Sequence, residues 1–269
     1  MDKEWRKRVK AIDKDLRVVE KQETKLQKAA LNAKPAPIKT ALENKIPQKI
    51  YFGLESTFTK GFSLVFSQGK EIIEKTYKKE TIQNNHAIRD YAVQLKGGHR
   101  ELKKMHKRAK RYDSLYVVVT TAEGIALGAL GIGMPDIVLF LSTLLRGIYG
   151  TVLNYGFDYE SRTEQYIILK MMAASLTYGE NWIAENDEVD ELMMASDLTV
   201  TEDALNTQLR QTASVFAMDM LLIKFIQGLP IVGIIGGAAN PIYYNRVVNY
   251  VQLKYRKRYL LTQYRGFQE

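Results

Sequence analysis

The sequence predicts an all-α fold: a multi-helix globular bundle with two glycine-rich apolar helix hairpins and an N-terminal helical arm bearing heptads. Three observations predict it. Apolar residues recur at helical spacing through most of the 269 residues. Proline and glycine pairs punctuate those runs at helix-length intervals. The one β-branched run, Leu115 to Thr121, would be a strand with nothing to pair with, so it reads as a buried helix.

The arm comes first. Trp5, Val9, Ile12, Leu16, Val19 and Leu26 alternate at four- and three-residue spacing, and Glu23 breaks the seam. A docked helix is preferred over a coiled coil with a partner through residues 5–26, because three heptads interrupted by a carboxylate make a weak zipper. Prolines in Asn32 to Pro37 end the helix. The predicted organisation is therefore an arm and linker over 1–37 and a helical domain over 38–269.

Ile46-Pro47 opens the next helix, with Ile50, Leu54, Phe58, Phe62 and Val65 on one face. Shorter helices follow over 71–79 and 81–96, and Gly97-Gly98 breaks the chain before a basic helix over 99–111. Gly124, Gly128, Gly131 and Gly133 then form a glycine-rich stretch whose spacing admits a second backbone. Pro135 and Asp136 start a long apolar helix, along which Thr143, Gly147, Gly150 and Asn154 make a small-residue stripe. Gly156 stops that helix and Asp158 is the expected N-cap of the next, over 159–178. That helix should turn Tyr166, Ile167, Met171 and Ala174 inward. Residues 186–191 read as a loop or solvated helix end. Thr201 caps a helix running to about Gln227. Leu229 to Ile242, with Gly233 and Gly237, is the second glycine-rich stretch, and a final helix covers 243–261.

Both apolar stretches are too interrupted to read as simple membrane spans: Pro135 and Asp136 break the first; Asp219, Lys224, Gln227 and Pro230 break the second. A buried, glycine-packed core is preferred over a hairpin that dips into one leaflet. The composition is that of an ordinary globular chain, 46% apolar and 26% charged. With no cysteine there is no disulfide, no thiolate nucleophile and no cysteine metal site, which suits a reducing cytosol. The N-terminus is charged from its second residue and does not read as a signal peptide.

The net charge of +9 points to an anionic partner, and it is segregated. Eight basic residues lie between Lys96 and Arg111 against Glu101 alone, and seven between Met220 and Gln268 against none. Glu180 to Asp203 holds nine acidic residues and no basic one. The expected anionic-surface contacts are Lys103, Lys104, Lys107 and Arg108, with Lys254, Arg256, Lys257 and Arg258. Anionic lipid would gain about 1 kcal/mol per cation near its surface. Nucleic acid is the least favoured partner, since basic residues and sixteen tyrosines permit it but no recognition motif accompanies them.

Catalytic signatures fail. No HExxH or GxSxG motif occurs, and Gly69-Lys70 is followed by Glu71 where a phosphate loop needs Ser or Thr. His99 and His106 stand two turns apart among lysines and arginines that repel a cation, so with His86 they read as solvated surface residues rather than metal ligands. No metal or cofactor is expected. Glu123, Asp136, Arg146, Glu164, Asp219 and Lys224 sit in apolar surroundings. They read first as a buried ion-pair network. The alternative is a carboxylate-lined pocket of an enzyme or ligand-binding protein around Glu123 and Asp136.

Taken together, Lys45-Ile46-Pro47, Ala122-Glu123-Gly124, Pro135-Asp136, Arg146, Tyr155-Gly156-Phe157-Asp158, and Leu229 to Gly233 with Gly236, Gly237 and Asn240 before a basic tail resemble the EcsC family over about 41–261. In this chain Pro135 abuts Asp136, where the family pattern has a residue between them. The resemblance implies an α-helical bacterial protein. It also implies work at a membrane, since the family takes its name from a protein encoded beside an ABC transporter. It carries over no catalytic residue. The expectation is a non-enzymatic, cytoplasmic, peripheral protein at the inner face of the membrane, meeting anionic lipid or a membrane protein such as a transporter.

Overall fold

The computed structural model describes residues 3–33, 47–69, 73–74, 77–111, 134–226 and 241–266. Their regular structure is all helical, with no strand among the described residues. In chain order the helices are α1 (Lys3–Asn32), α2 (Gln48–Leu64, continued by a π-helical turn Val65–Gly69), α3 (Lys79–Lys96), α4 (His99–Arg111) and α5 (Met134–Asn154). They continue with α6 (Arg162–Ser175), α7 (Gly179–Met194), α8 (Glu202–Ile226) and α9 (Pro241–Arg265). The all-α bundle read from the sequence is the observed fold. The glycine-rich stretches, the 115–121 run and the proline linker lie outside the described residues.

The last helix is the middle of the protein. Helix α9 buries Val247, Val248, Tyr250, Val251, Leu253, Tyr255, Tyr259 and Leu260, residues that point in every direction around its axis. It packs on α1, α4, α5, α6 and α7. Helix α6 is buried all round as well, from Ile167 to Leu176, rather than along the one stripe expected. It lies between α9, α7 and α8, while α2 closes the far side against α8 and α5. Phe58 and Phe62 of α2, Phe140 of α5, Phe216 of α8 and Tyr243 of α9 meet in one aromatic cluster; the Phe62 and Phe216 rings stand edge to face at 5.5 Å. Such pairs each add about 1 kcal/mol beyond area burial.

Helix α1 docks on this core. Ala11, Ile12, Val19 and Ala30 are buried in the same apolar cluster as α5, α6 and α9. Helix α1 thus shares the apolar core, in line with the docked-helix reading of its seam. Helix α5 runs through the interior: its Ile137–Asn154 window has a mean hydropathy of 1.5, and 89% of it is buried. Among the described residues it alone is long and apolar enough to cross a bilayer. Its small-residue stripe admits α9, because a Cβ at Gly147 would meet the Tyr244 hydroxyl and lie 3.6 Å from Val248 Cγ2.

Helix boundaries follow local chemistry. Gly97 closes α3 in the left-handed region, with φ 51°. Gly156 closes α5 in a Schellman motif: Phe157 N–H donates to the Val152 carbonyl and Gly156 N–H to that of Leu153, both at 3.1 Å, with Gly156 at φ 82°. The next helix starts later than expected. Asp158 accepts from Glu160 N–H and shapes a turn, while Ser161 is the N-cap, accepting from Glu164 N–H at 3.1 Å. Thr201 caps α8 as the sequence indicates, through Ala204 N–H. Residues 186–191 are helical rather than a loop, and Asn186 and Val189 are buried.

The His86 ring lies against Gly156 and donates from Nδ1 to the Asn154 carbonyl at 3.0 Å. Gly156→Ala would put a Cβ into that ring and force a side chain into positive φ. We expect a loss of about 2 kcal/mol in denaturant unfolding. A loss under 0.5 kcal/mol would show that the helix stop tolerates a Cβ.

A cationic helix face above an internal ion-pair layer

The sequence holds two basic clusters of similar composition. The fold gives them opposite roles.

On α4, Leu102, Met105, His106 and Ala109 are buried. At about 100° per residue, Arg100, Lys104, Lys107 and Arg108 fall on the opposite side, with Lys103 at the flank. All five are exposed. No ion pair to any of them occurs among the described residues. Helix α4 is thus anchored by an apolar face and presents a cationic one.

On α9 the cations turn inward. Lys254 is fully buried, and its Nζ stands 2.7 Å from both Glu23 Oε1 and Asp190 Oδ1. Lys257 closes the same square, 2.9 Å from Glu23 Oε2 and 2.7 Å from Asp190 Oδ2. Burial alone would lower the Lys257 pKa, but the hydrogen bonds and charges of Asp190 and Glu23 outweigh it and raise it. Arg258 donates to both oxygens of Glu164 at 2.8 and 2.9 Å, and Tyr255 donates to the same carboxylate. Arg256 lies 3.4 Å from Asp15. The surface role expected of Lys254, Arg256, Lys257 and Arg258 is therefore corrected. They are structural cations that tie α9 to α1, α6 and α7, because charge drawn into a packed helix interface is kept only where it is paired. Glu23, the residue that breaks the heptad seam, is the partner that α1 brings to them.

The other polar candidates separate. Glu164 belongs to the ion-pair layer just described. Asp219 of α8 is buried beside Arg246 Nη1 at 3.4 Å and accepts from the Tyr178 hydroxyl at 2.7 Å. Burial pushes its carboxyl above the usual range, against the pull of Arg246 and Tyr178. Arg146 is buried on α5 near Tyr77, where its charge favours the phenolate that burial opposes. Glu123 and the side chains of Asp136 and Lys224 lie outside the described residues. Glu164 and Asp219 thus sit on separate helices with separate partners, Arg258 and Tyr255 for the first and Arg246 and Tyr178 for the second.

The sequence reading missed one cluster. His106 is buried and not solvated. Its Nε2 donates to Asp15 Oδ2 at 2.7 Å, and its Nδ1 lies 3.0 Å from the Tyr155 hydroxyl. The half-exposed His99 reaches Asp15 Oδ1 at 3.1 Å. Burial lowers the His106 pKa despite the Asp15 hydrogen bond, which fits a neutral ring donating to Asp15 and accepting from Tyr155. Burial raises the Asp15 carboxyl, but His106, Arg256 and His99 outweigh it and hold it below the usual range. The available signal was the spacing: His106 lies on the apolar stripe with Leu102, Met105 and Ala109. No group of three or more His, Cys, Asp or Glu side chains suited to a metal occurs among the described residues.

The match to the EcsC protein family covers residues 10–260. The chain belongs to that family. The matched region begins inside α1, earlier than the resemblance read from the sequence, as expected of a helix that shares the core. No curated protein and no solved structure matches the EcsC chain.

Proposed function

We propose that this EcsC protein is a peripheral membrane protein that docks on anionic lipid through the solvent face of α4, from the cytoplasmic side. One observation carries the reading: Lys103, Lys104, Lys107 and Arg108 are exposed together on one face, with no carboxylate partner among the described residues. The opposite face of the same helix is held in the core by Leu102, Met105 and Ala109, so the cations are presented on a rigid support. A rigid cationic face loses little conformational freedom on meeting a plane of headgroups. The arrangement needs no chemistry, and the proposal assigns none.

Flotation of the full chain with anionic and neutral vesicles, at low and high salt, tests it. The wild type should float with anionic vesicles at low salt. K103E/K104E/K107E/R108E should bind at least a hundred-fold more weakly, at about 1 kcal/mol per cation. Its thermal unfolding should stay close to wild type, because the substituted side chains are solvated. Equal flotation of the variant, or no flotation of the wild type, would sink the proposal and leave the face to a protein partner such as a transporter.

A further inference from the structure

Helix α3 carries an apolar stripe on the wrong side for the core. Ile88 is 68% exposed, Tyr91 64% and Leu95 56%. They recur at three- and four-residue spacing and so line one face over about 10 Å. The opposite face of α3 is the one that packs. Ile82 and Val93 are buried there, His86 bonds the Asn154 carbonyl at the end of α5, and Asp90 accepts from the Tyr259 hydroxyl of α9 at 2.7 Å.

The same underlying layer carries α4. Tyr155, next to Asn154, contacts His106 of α4, and Tyr155 and Tyr259 pack on each other with ring centroids 5.7 Å apart. Helices α3 and α4 are joined by Gly97-Gly98 and lie against one another. Two neighbouring helices seated on one layer turn their outer faces away from it. The apolar stripe Ile88/Tyr91/Leu95 and the cationic face Arg100/Lys104/Lys107/Arg108 therefore lie on the outer sides of adjacent helices.

We infer that α3 is a shallow insertion element: Ile88, Tyr91 and Leu95 enter the boundary between headgroups and acyl chains while α4 holds the headgroups. The inference rests on the membrane reading above and specifies its mode. The partner is an anionic bilayer, whose apolar layer beneath a plane of negative headgroups matches an apolar stripe beside a row of cations. A tyrosine between two aliphatic residues suits that boundary, where its ring is buried and its hydroxyl stays hydrated.

The cysteine-free chain permits a direct test. Tyr91→Cys and, as a control on exposed α8, Gln211→Cys each receive an environment-sensitive dye. Each is mixed with phosphatidylglycerol-containing vesicles, with and without brominated acyl chains. We expect a blue shift and bromine quenching at position 91 and neither at 211. I88S/Y91S/L95S should bind roughly ten- to thirty-fold more weakly, with the remaining binding fully reversed by salt. If the wild type floats but the dye at 91 is not quenched, docking is by charge alone; the insertion fails and the membrane reading stands. If nothing floats, both fail. A wild-type dimer by sedimentation that I88S/Y91S/L95S makes monomeric would assign the stripe to a second copy of the chain and overturn insertion.

Discussion

Lys254→Glu is expected to yield no cooperatively folded protein. The position is fully buried, and the new carboxylate would face Glu23 and Asp190 with only Lys257 to offset three negative charges. Each uncompensated buried ion costs several kcal/mol, and the whole fold is worth about 5–15 kcal/mol. Lys254→Met is the informative partner variant. It keeps the apolar stem and leaves Lys257 between the two carboxylates, so a loss of only about 1–2 kcal/mol is expected. On α4, Lys104→Glu changes charge by the same amount at an exposed site and should stay within about 0.5 kcal/mol of wild type. Thermal unfolding by circular dichroism compares the three. A Lys254→Glu protein melting within a few degrees of wild type would mean that α9 is not the central helix.

That comparison also shows where sequence reasoning reached and where it stopped. Helix existence was legible because periodic apolar residues and local stop signals act within a few residues of each other: Gly97 and Gly156 stop helices through their backbone freedom, and Thr201 caps one through its hydroxyl. The seam of α1 was legible for the same reason. The orientation of charge was not. Lys103 to Arg108 and Lys254 to Arg258 look alike as composition, and nothing local separates a solvated cation from a paired one. The distinction lies in residues far along the chain. Glu23 is more than two hundred residues before Lys254, and Asp190 sits in an acidic run that reads as unopposed. One pattern did hold the clue. The last helix has apolar residues on every face around its cations, and a helix apolar all round is buried. The buried His106 gave a similar clue by lying on the apolar stripe of α4. Arg146, Glu164 and Asp219 were legible as buried, but their partners were not, since partner choice is set by helix packing.

Asp15→Ala is expected to remove about 3–5 kcal/mol and to lower the melting temperature by roughly 10 °C. Asp15, on α1, is 1% exposed and takes His106 and His99 from α4 and Arg256 from α9. Its loss strands the His106 Nε2–H and the Arg256 charge in the interior. Asp15→Asn should recover part of the loss, since an amide oxygen still accepts from His106, but not the part owed to Arg256. Acid should weaken the same junction in two steps. His106 is held below its ordinary value near 6.5, so below about pH 6.5 the unfolded chain binds the proton more readily and stability falls. Asp15 is held below its ordinary value near 3.9, so its contribution is present above that pH and is lost as pH falls through the folded value. Both slopes have the same sign, and urea unfolding at pH 7.5, 6 and 5 separates them from the rest: His106→Gln should flatten the first slope. A stability that rises on acidification from pH 7 to 5 would mean that His106 is protonated in the fold. The junction lies on the buried side of α4, so loosening it would release the support that presents Lys103, Lys104, Lys107 and Arg108 to solvent.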